Sequence, residues 1–235
     1  MKELTFAILM FSCLPNGNAQ ELELHYQLKA DLNSDNVPEQ INLESYDNND
    51  FKLKINNEEF SGNIGDPVDG FVLIDINKWD AYKEIAVHTP GPSDDDIYLV
   101  VWYDGNRIIP MGRLSRWPVF KGNGIVYVDG WEGFWTRRDK YQLDPARREL
   151  IRVDQYAYYV GLTVDVSNGF RIYRDQEFKN EVALLSDGSE IEIVLCDNKG
   201  YQYLEYRYLI KSSSGLLGWT NYETLQKNAI LPLAD

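Results

Sequence analysis

From Gln40 onward the apolar residues come in short alternating runs, not in a helical rhythm. Gln40–Ser45, Phe51–Ile55, Phe71–Ile76, Ile97–Tyr103, Gly124–Asp129, Glu149–Val153 and Tyr156–Val160 are rich in Val, Ile, Leu and Tyr. Such runs are the pattern of strands packed on a core. Between them lie turn clusters: Asp47-Asn48-Asn49-Asp50, Asn56-Asn57, Asp104-Gly105-Asn106 and Lys121-Gly122-Asn123-Gly124. Asn, Asp and Gly gather at turns because they tolerate left-handed backbone or hydrogen-bond their own main chain. No stretch keeps a 3.6-residue apolar period for three turns, and the best helix candidate is the short segment Asn221–Gln226. The pattern predicts an all-β protein.

One segment echoes another. Asp31-Leu-Asn33-Ser-Asp35-Asn-Val-Pro-Glu39-Gln-Ile41-Asn-Leu43 aligns without gaps on the segment beginning Asp75-Ile-Asn77, 44 residues further on. In each, a loop opens on Asp-aliphatic-Asn and leads into an alternating strand. A period of about 44 residues is that of four-stranded propeller blades. A third unit, residues 116–160, has similar length and lacks the Asp-Asn loop. Three units are too few to close a propeller. The N-terminal part is therefore expected to be a partial propeller-like array, a β-sandwich, or a fragment that leans on the C-terminal part, with a domain boundary near Val160–Val166.

The first loop carries oxygen ligands at alternate positions: Asp31, Asn33 and Asp35, then the Val37 carbonyl, then Glu39. A calcium ion takes six to eight hard oxygens, and a tight loop supplies them with this spacing. The loop resembles the DxDxDGxxD calcium loops of FG-GAP and VCBS-type propeller repeats. That resemblance implies a calcium ion held by Asp31, Asn33, Asp35, Val37 and Glu39. It departs from the pattern at Asn36, where the family has Gly, and at Glu39, where it has Asp. An Asx-rich turn that satisfies its own backbone is the alternative reading. In the ungapped second copy Trp79 and Lys83 replace the third and last ligands, so that loop is expected to be structural. Asp94-Asp95-Asp96 reads as a solvated loop.

Beyond Leu162 the strands shorten and the turns tighten. Gly169–Tyr173, the two arms around Asp187-Gly188, Tyr201–Lys211 and Leu217–Thr220 give five strands in about 60 residues, the pattern of a small barrel. Gly188-Ser-Glu-Ile191-Glu-Ile193-Val-Leu195, the Tyr201-Gln-Tyr203 strand and Gly218-Trp219-Thr220 follow one another in the order found in bacterial SH3 domains, and Tyr222–Leu225 matches their closing segment. The segment resembles that family over about 65 residues. The resemblance implies a small SH3-like barrel that binds a cell-wall component or a protein or peptide ligand. Its implied groove is lined by Tyr173, Tyr203, Tyr206 and Trp219. Packing within the barrel is the alternative role for the same aromatics.

Composition narrows the partners. The formal net charge is −14, and the arginine pairs Arg137-Arg138 and Arg147-Arg148 are interleaved with acids. A nucleic-acid binder needs a basic footprint to displace counterions, so neither nucleic acid nor an anionic membrane is an expected partner. Residues 1–19 read as an export signal: Lys2, an apolar run Leu4–Leu14 and the small-residue site Gly17-Asn18-Ala19. The competing reading is a lipoprotein leader with a lipid anchor on Cys13. No later segment has the length and apolarity of a transmembrane helix. The only other cysteine, Cys196, lies in the apolar run from Ile191 and reads as a buried strand residue.

No catalytic constellation emerges. The two histidines, His25 and His88, have no metal-ligand neighbour at helical or hairpin spacing. Asp129, Glu132 and Asp139 flank the aromatic stretch Trp131–Trp135, so a carboxylate-only glycoside hydrolase is one alternative. The other is a structural accessory protein with a calcium-stabilised loop. The leading expectation is a non-catalytic exported binding protein of the bacterial envelope. Its expected division is a signal peptide at 1–19, a β-rich domain at 20–161 and an SH3-like barrel at 162–235.

Overall fold

A computed structural model describes residues 22–91, 95–198 and 205–232. The chain is all-β, with four antiparallel sheets. Three are four-stranded meanders in chain order. Sheet 1 holds β1 (Gln27–Ala30), β2 (Glu39–Ser45), β3 (Asp50–Ile55) and β4 (Glu58–Asn63). Sheet 2 holds β5 (Gly70–Ile74), β6 (Glu84–Thr89), β7 (Ile97–Tyr103) and β8 (Ile108–Ser115). Sheet 3 holds β9 (Trp117–Phe120), β10 (Ile125–Trp131), β11 (Thr136–Asp144) and β12 (Glu149–Arg152).

The three sheets stack face to face, and the burial pattern gives the reason. Sheet 2 is the middle layer: every residue of β6 is buried. One of its faces, with Phe71, Ile85, Val87, Leu99 and Val101, packs on Ile41, Leu43, Phe51, Leu53 and Ile55 of sheet 1. The other, with Val72, Ile74, Ala86, Val100 and Leu114, packs on Phe120, Val126, Val128 and Leu143 of sheet 3. Each fully buried aliphatic side chain contributes about 1.5–3 kcal/mol. The outer layers include alternating strands such as β3, where Phe51, Leu53 and Ile55 are buried and the residues between them are partly exposed. A stack ended by two amphipathic sheets needs no further blade and no ring closure. This is a three-layer sandwich of blade-like units.

The remaining strands form one six-stranded sheet: β13 (Tyr158–Asp165), β16 (Glu190–Asp197), β17 (Arg207–Ser212), β18 (Leu217–Asn221), β14 (Phe170–Tyr173) and β15 (Glu181–Leu185), in that spatial order. Among the described residues no ladder joins β15 to β13, so the sheet is not a closed barrel. Of the strand expected over Tyr201–Lys211, β17 covers Arg207 onward and Glu205 and Tyr206 lie outside it, while residues 201–204 lie outside the described residues. The short helix α1 (Tyr222–Asn228) follows β18, where the sequence pattern placed its helix. Asn221 caps it by accepting a hydrogen bond from the Thr224 amide at 2.9 Å, satisfying one of the free first-turn donors.

Sheet 3 and the six-stranded sheet share a core through one hairpin. The turn between β10 and β11 inserts Phe134 and Trp135 among Tyr158, Ile172, Ile193, Tyr208 and Leu225. Phe134 lies 5.4 Å from the Tyr208 ring and stacks on Tyr222 at 6.0 Å. The Trp135 indole donates to the Tyr208 hydroxyl at 3.4 Å. The aromatic stretch Trp131–Trp135 is thus largely a plug between two sheets.

Candidate functional site

The inner face of the six-stranded sheet is the core just described. Its outer face carries an apolar row. Cross-strand register aligns Tyr159 of β13 with Leu195 of β16, Leu195 with Leu209 of β17, Leu209 with Trp219 of β18, and Trp219 with Tyr173 of β14. Residues opposite one another on adjacent strands have Cβ atoms about 4.5–5.5 Å apart, so these five side chains form a continuous band across five strands. The alternation confirms the face: Tyr208, Ile210, Gly218 and Thr220 point into the core, while Leu209 and Trp219 are half-buried. Tyr159 is 75% exposed. At the Tyr173 end, Phe178 extends the band with a ring contact at 5.6 Å, and the Arg207 guanidinium lies 4.8 Å from the Phe178 ring.

Two of the four aromatics expected to line a groove, Tyr173 and Trp219, therefore lie opposite one another on adjacent strands. Tyr206 sits elsewhere. It packs against the core and lines a polar pocket with Arg137, Arg152, Asp154, Gln155 and Tyr158. Tyr203 lies outside the described residues. Sequence reading missed Tyr159, Leu195 and Leu209. The signal was present in the alternation of β13, β16 and β17, but a bulge in β16 between Ile193 and Leu195 shifts the register, and a second bulge shifts β13 between Tyr159 and Leu162.

The Asp31–Glu39 loop is organised by its own side chains. Asp31 Oδ2 accepts from the Asn36 amide at 3.0 Å, Asn33 Oδ1 from Asp35 at 3.1 Å and Asp35 Oδ1 from Val37 at 2.7 Å. Ser34 and Asn36 take left-handed backbone, with φ of 58° and 66°. Glu39 is buried, and its Oε2 accepts from the Leu32 amide at 2.8 Å. Asp31 Oδ1 is buried and has no hydrogen-bond partner among the described residues. Also among the described residues, no group of three or more His, Cys, Asp or Glu side chains is placed to hold a metal ion.

The second loop repeats the cap with a one-residue insertion. Glu84 Oε2 accepts from the Ile76 amide at 3.1 Å, so Glu84, and not the Lys83 of the ungapped alignment, is the counterpart of Glu39. Burial pushes the Glu84 carboxyl up to about 7. The loops also stitch the layers together at equivalent atoms. Leu32 O accepts from the Lys83 amide at 2.9 Å, and Ile76 O accepts from the Gly124 amide at 2.8 Å.

The remaining reactive groups are held in structural contacts. Arg138 grips Asp129 through two bonds of 2.7 and 2.6 Å. Arg137 reaches Glu132 at 2.5 Å and Asp139 at 3.1 Å, and Arg152 reaches Asp139 at 2.7 Å. The Tyr158 hydroxyl donates to the same Asp139 at 2.9 Å. The three carboxylates around Trp131–Trp135 are thus each tied to an arginine. Cys196 is fully buried, and desolvation pushes its thiol up to about 12, far from the thiolate character a nucleophile needs. His88 lies between two carboxylates, with Nδ1 2.6 Å from Asp69 and Nε2 3.4 Å from Asp96, and packs on the Tyr98 ring at 4.6 Å. Asp95 pairs with Arg116 at 3.3 Å. Asp94 lies outside the described residues, as do residues 1–19 with Cys13.

No protein-family model matches the chain, and neither a curated protein nor a solved structure does.

Proposed function

We propose that this chain is a non-catalytic binding protein of the bacterial envelope, exported under residues 1–19, that takes a cell-wall ligand on the outer face of its six-stranded sheet. The observation that carries the reading is the apolar row Tyr159–Leu195–Leu209–Trp219–Tyr173. Five aligned apolar side chains on the face opposite the core add nothing to that core. They are the kind of contiguous surface that marks interaction sites. Aromatic side chains are the most frequent anchors of such sites, because they bring large area at low entropic cost. The bacterial SH3 resemblance of Gly188–Leu195 and Gly218–Thr220 supports the same role. The test is co-sedimentation with purified peptidoglycan sacculi. Wild type pellets and Trp219→Ala stays in solution; a wild type that never pellets overturns wall binding and directs the search to a protein or peptide ligand.

Calcium at the first loop is a separate proposal, and it is the core of the alternative reading as a structural accessory protein. The orphaned Asp31 Oδ1 supports it. The ion would be held by Asp31, Asn33, Asp35 and Glu39 with the Val37 carbonyl, and it would supply rigidity and no chemistry. An ion that binds only the folded chain raises its melting temperature by mass action. Calcium is expected to raise the melting temperature of wild type and not of Asp31→Ala; equal response of the two rejects the site.

A further inference from the structure

Tyr159 also belongs to a second surface. A cleft of roughly 550 Å³ opens between the outer face of sheet 3 and the start of β13, lined by Tyr127, Asp129, Arg138, Lys140, Gln155 and Tyr159 among others. Tyr159 stands at its rim and at the end of the apolar row, so the two surfaces are continuous. Its ring lies back across Gly161, whose φ is +63°. A Cβ at that position would meet Tyr159 Cε1 at 2.5 Å, so only glycine lets the ring rest there.

The charge of the cleft opposes that of the chain. The protein carries −14, yet the cleft presents Arg138 and Lys140 against the carboxylate of Asp129. That carboxylate is already gripped by Arg138 through both oxygens. Among the described residues the Lys140 ammonium has no ion-pair partner. Lys140 is the cross-strand partner of Tyr127, whose ring also faces Arg138 at 5.7 Å and Lys121 at 5.9 Å. Three cations therefore surround one tyrosine in an otherwise acidic protein. Gln155 donates its amide to Arg138 O at 2.9 Å, which leaves its side-chain oxygen to accept.

We infer that this cleft binds a carboxylate-bearing saccharide. The apolar face of the sugar ring lies on Tyr159, its carboxylate pairs with Lys140 and Arg138, and its hydroxyls bond to Gln155 and Thr136. A flat exposed ring beside side-chain donors and acceptors suits a hydroxyl-rich ring better than a peptide, and the unpaired ammonium selects an anion. The inference rests on the binding reading above and names the ligand class.

Affinity electrophoresis tests it, with polygalacturonate in the gel and its fully methyl-esterified form as the uncharged counterpart. Wild type is expected to be retarded by the acid form at about one-tenth the polymer concentration the ester requires, the effect of one charged hydrogen bond. Lys140→Met is expected to lose that preference and Lys140→Arg to keep it, with melting temperatures unchanged. Gly161→Ala, which leaves both cations in place and displaces the Tyr159 ring, weakens retardation by either polymer. Equal retardation of wild type by acid and ester, a Lys140→Met that keeps its preference, or equal retardation by polyglutamate would overturn the assignment. Trp219-dependent sacculus binding with no polygalacturonate shift would overturn this inference alone. A polygalacturonate shift without sacculus binding would overturn the wall reading alone.

Discussion

Glu39 and Glu84 hold the same position in successive layers: each buries its carboxylate and accepts the amide of the aliphatic residue after an Asp, Leu32 at 2.8 Å and Ile76 at 3.1 Å. A buried N–H left without a partner costs about 1–3 kcal/mol, so the cap explains why both loops keep a glutamate. Glu84 is fully buried and lies near Asp75 and Asp80, with Arg148 as the opposing charge. Its second oxygen, Oε1, has no hydrogen-bond partner among the described residues.

Burial of Glu84 sets a pH dependence. Burial raises the folded Glu84 carboxyl from 4.5 to about 7. Between those values the folded chain holds a proton that the unfolded chain has released. The stabilising contribution is complete below pH 4.5, declines as pH rises and is gone above about 7. Its size is about 3 kcal/mol. Urea denaturation of wild type and Glu84→Gln at pH 4.5 and pH 8 measures it. Relative to wild type, Glu84→Gln is expected to gain about 3 kcal/mol on going to pH 8. An unchanged difference between the two proteins would reject the buried, proton-holding carboxyl.

Gly218 and Trp219 are neighbours with opposite roles. Gly218 faces inward, where a Cβ would come within 2.8 Å of Ile172 Cβ and 2.9 Å of its Cγ1. Overpacking of this kind costs about 1–3 kcal/mol. Gly218→Ala is expected to lower the urea midpoint, while the half-exposed Trp219→Ala changes it little. The reverse order would show that Trp219 belongs to the core and not to a surface.

The Phe134 plug makes a further prediction. Phe134 is 2% exposed and contacts Tyr208 and Tyr222 across the boundary between sheet 3 and the six-stranded sheet. Removing a buried phenyl ring costs about 3–5 kcal/mol. Phe134→Ala is expected to split one unfolding transition into two by calorimetry, since the shared core is what couples the sheets. A single transition shifted as a whole would place the coupling in the Arg137, Arg152 and Asp139 network instead.

Local features were readable from the sequence, and relations between distant strands were not. Alternation gave most strands, Asn221 gave the start of α1, and the Asp-aliphatic-Asn echo gave the layer repeat, because each is a local rule of backbone and burial. The one-residue insertion before Glu84 was hidden, since an ungapped alignment sets Lys83 opposite Glu39 and only the hydrogen bond to Ile76 reveals the shift. The stack of three was hidden for a different reason. Sheet 2 is apolar on both faces, and a sequence does not say which two sheets cover it. Tyr173 and Trp219 were singled out as ligand-facing aromatics, but their juxtaposition depends on β14 pairing with β18, strands far apart in the chain. Tyr206 was singled out on the same grounds, and it belongs to another pocket because it precedes β17 and never joins its alternation.

The most direct measurement of the central claim is the binding isotherm of the purified protein on peptidoglycan sacculi, for wild type, Trp219→Ala, Tyr173→Ala and Tyr46→Ala. Tyr46 is exposed and lies at the end of sheet 1, away from the row. An aromatic anchor contributes about 2 kcal/mol or more. Trp219→Ala and Tyr173→Ala are therefore expected to bind at least about tenfold more weakly, with Tyr46→Ala indistinguishable from wild type. Equal binding by wild type and Trp219→Ala, or an equal loss in Tyr46→Ala, would contradict the assignment of the outer face as the binding surface.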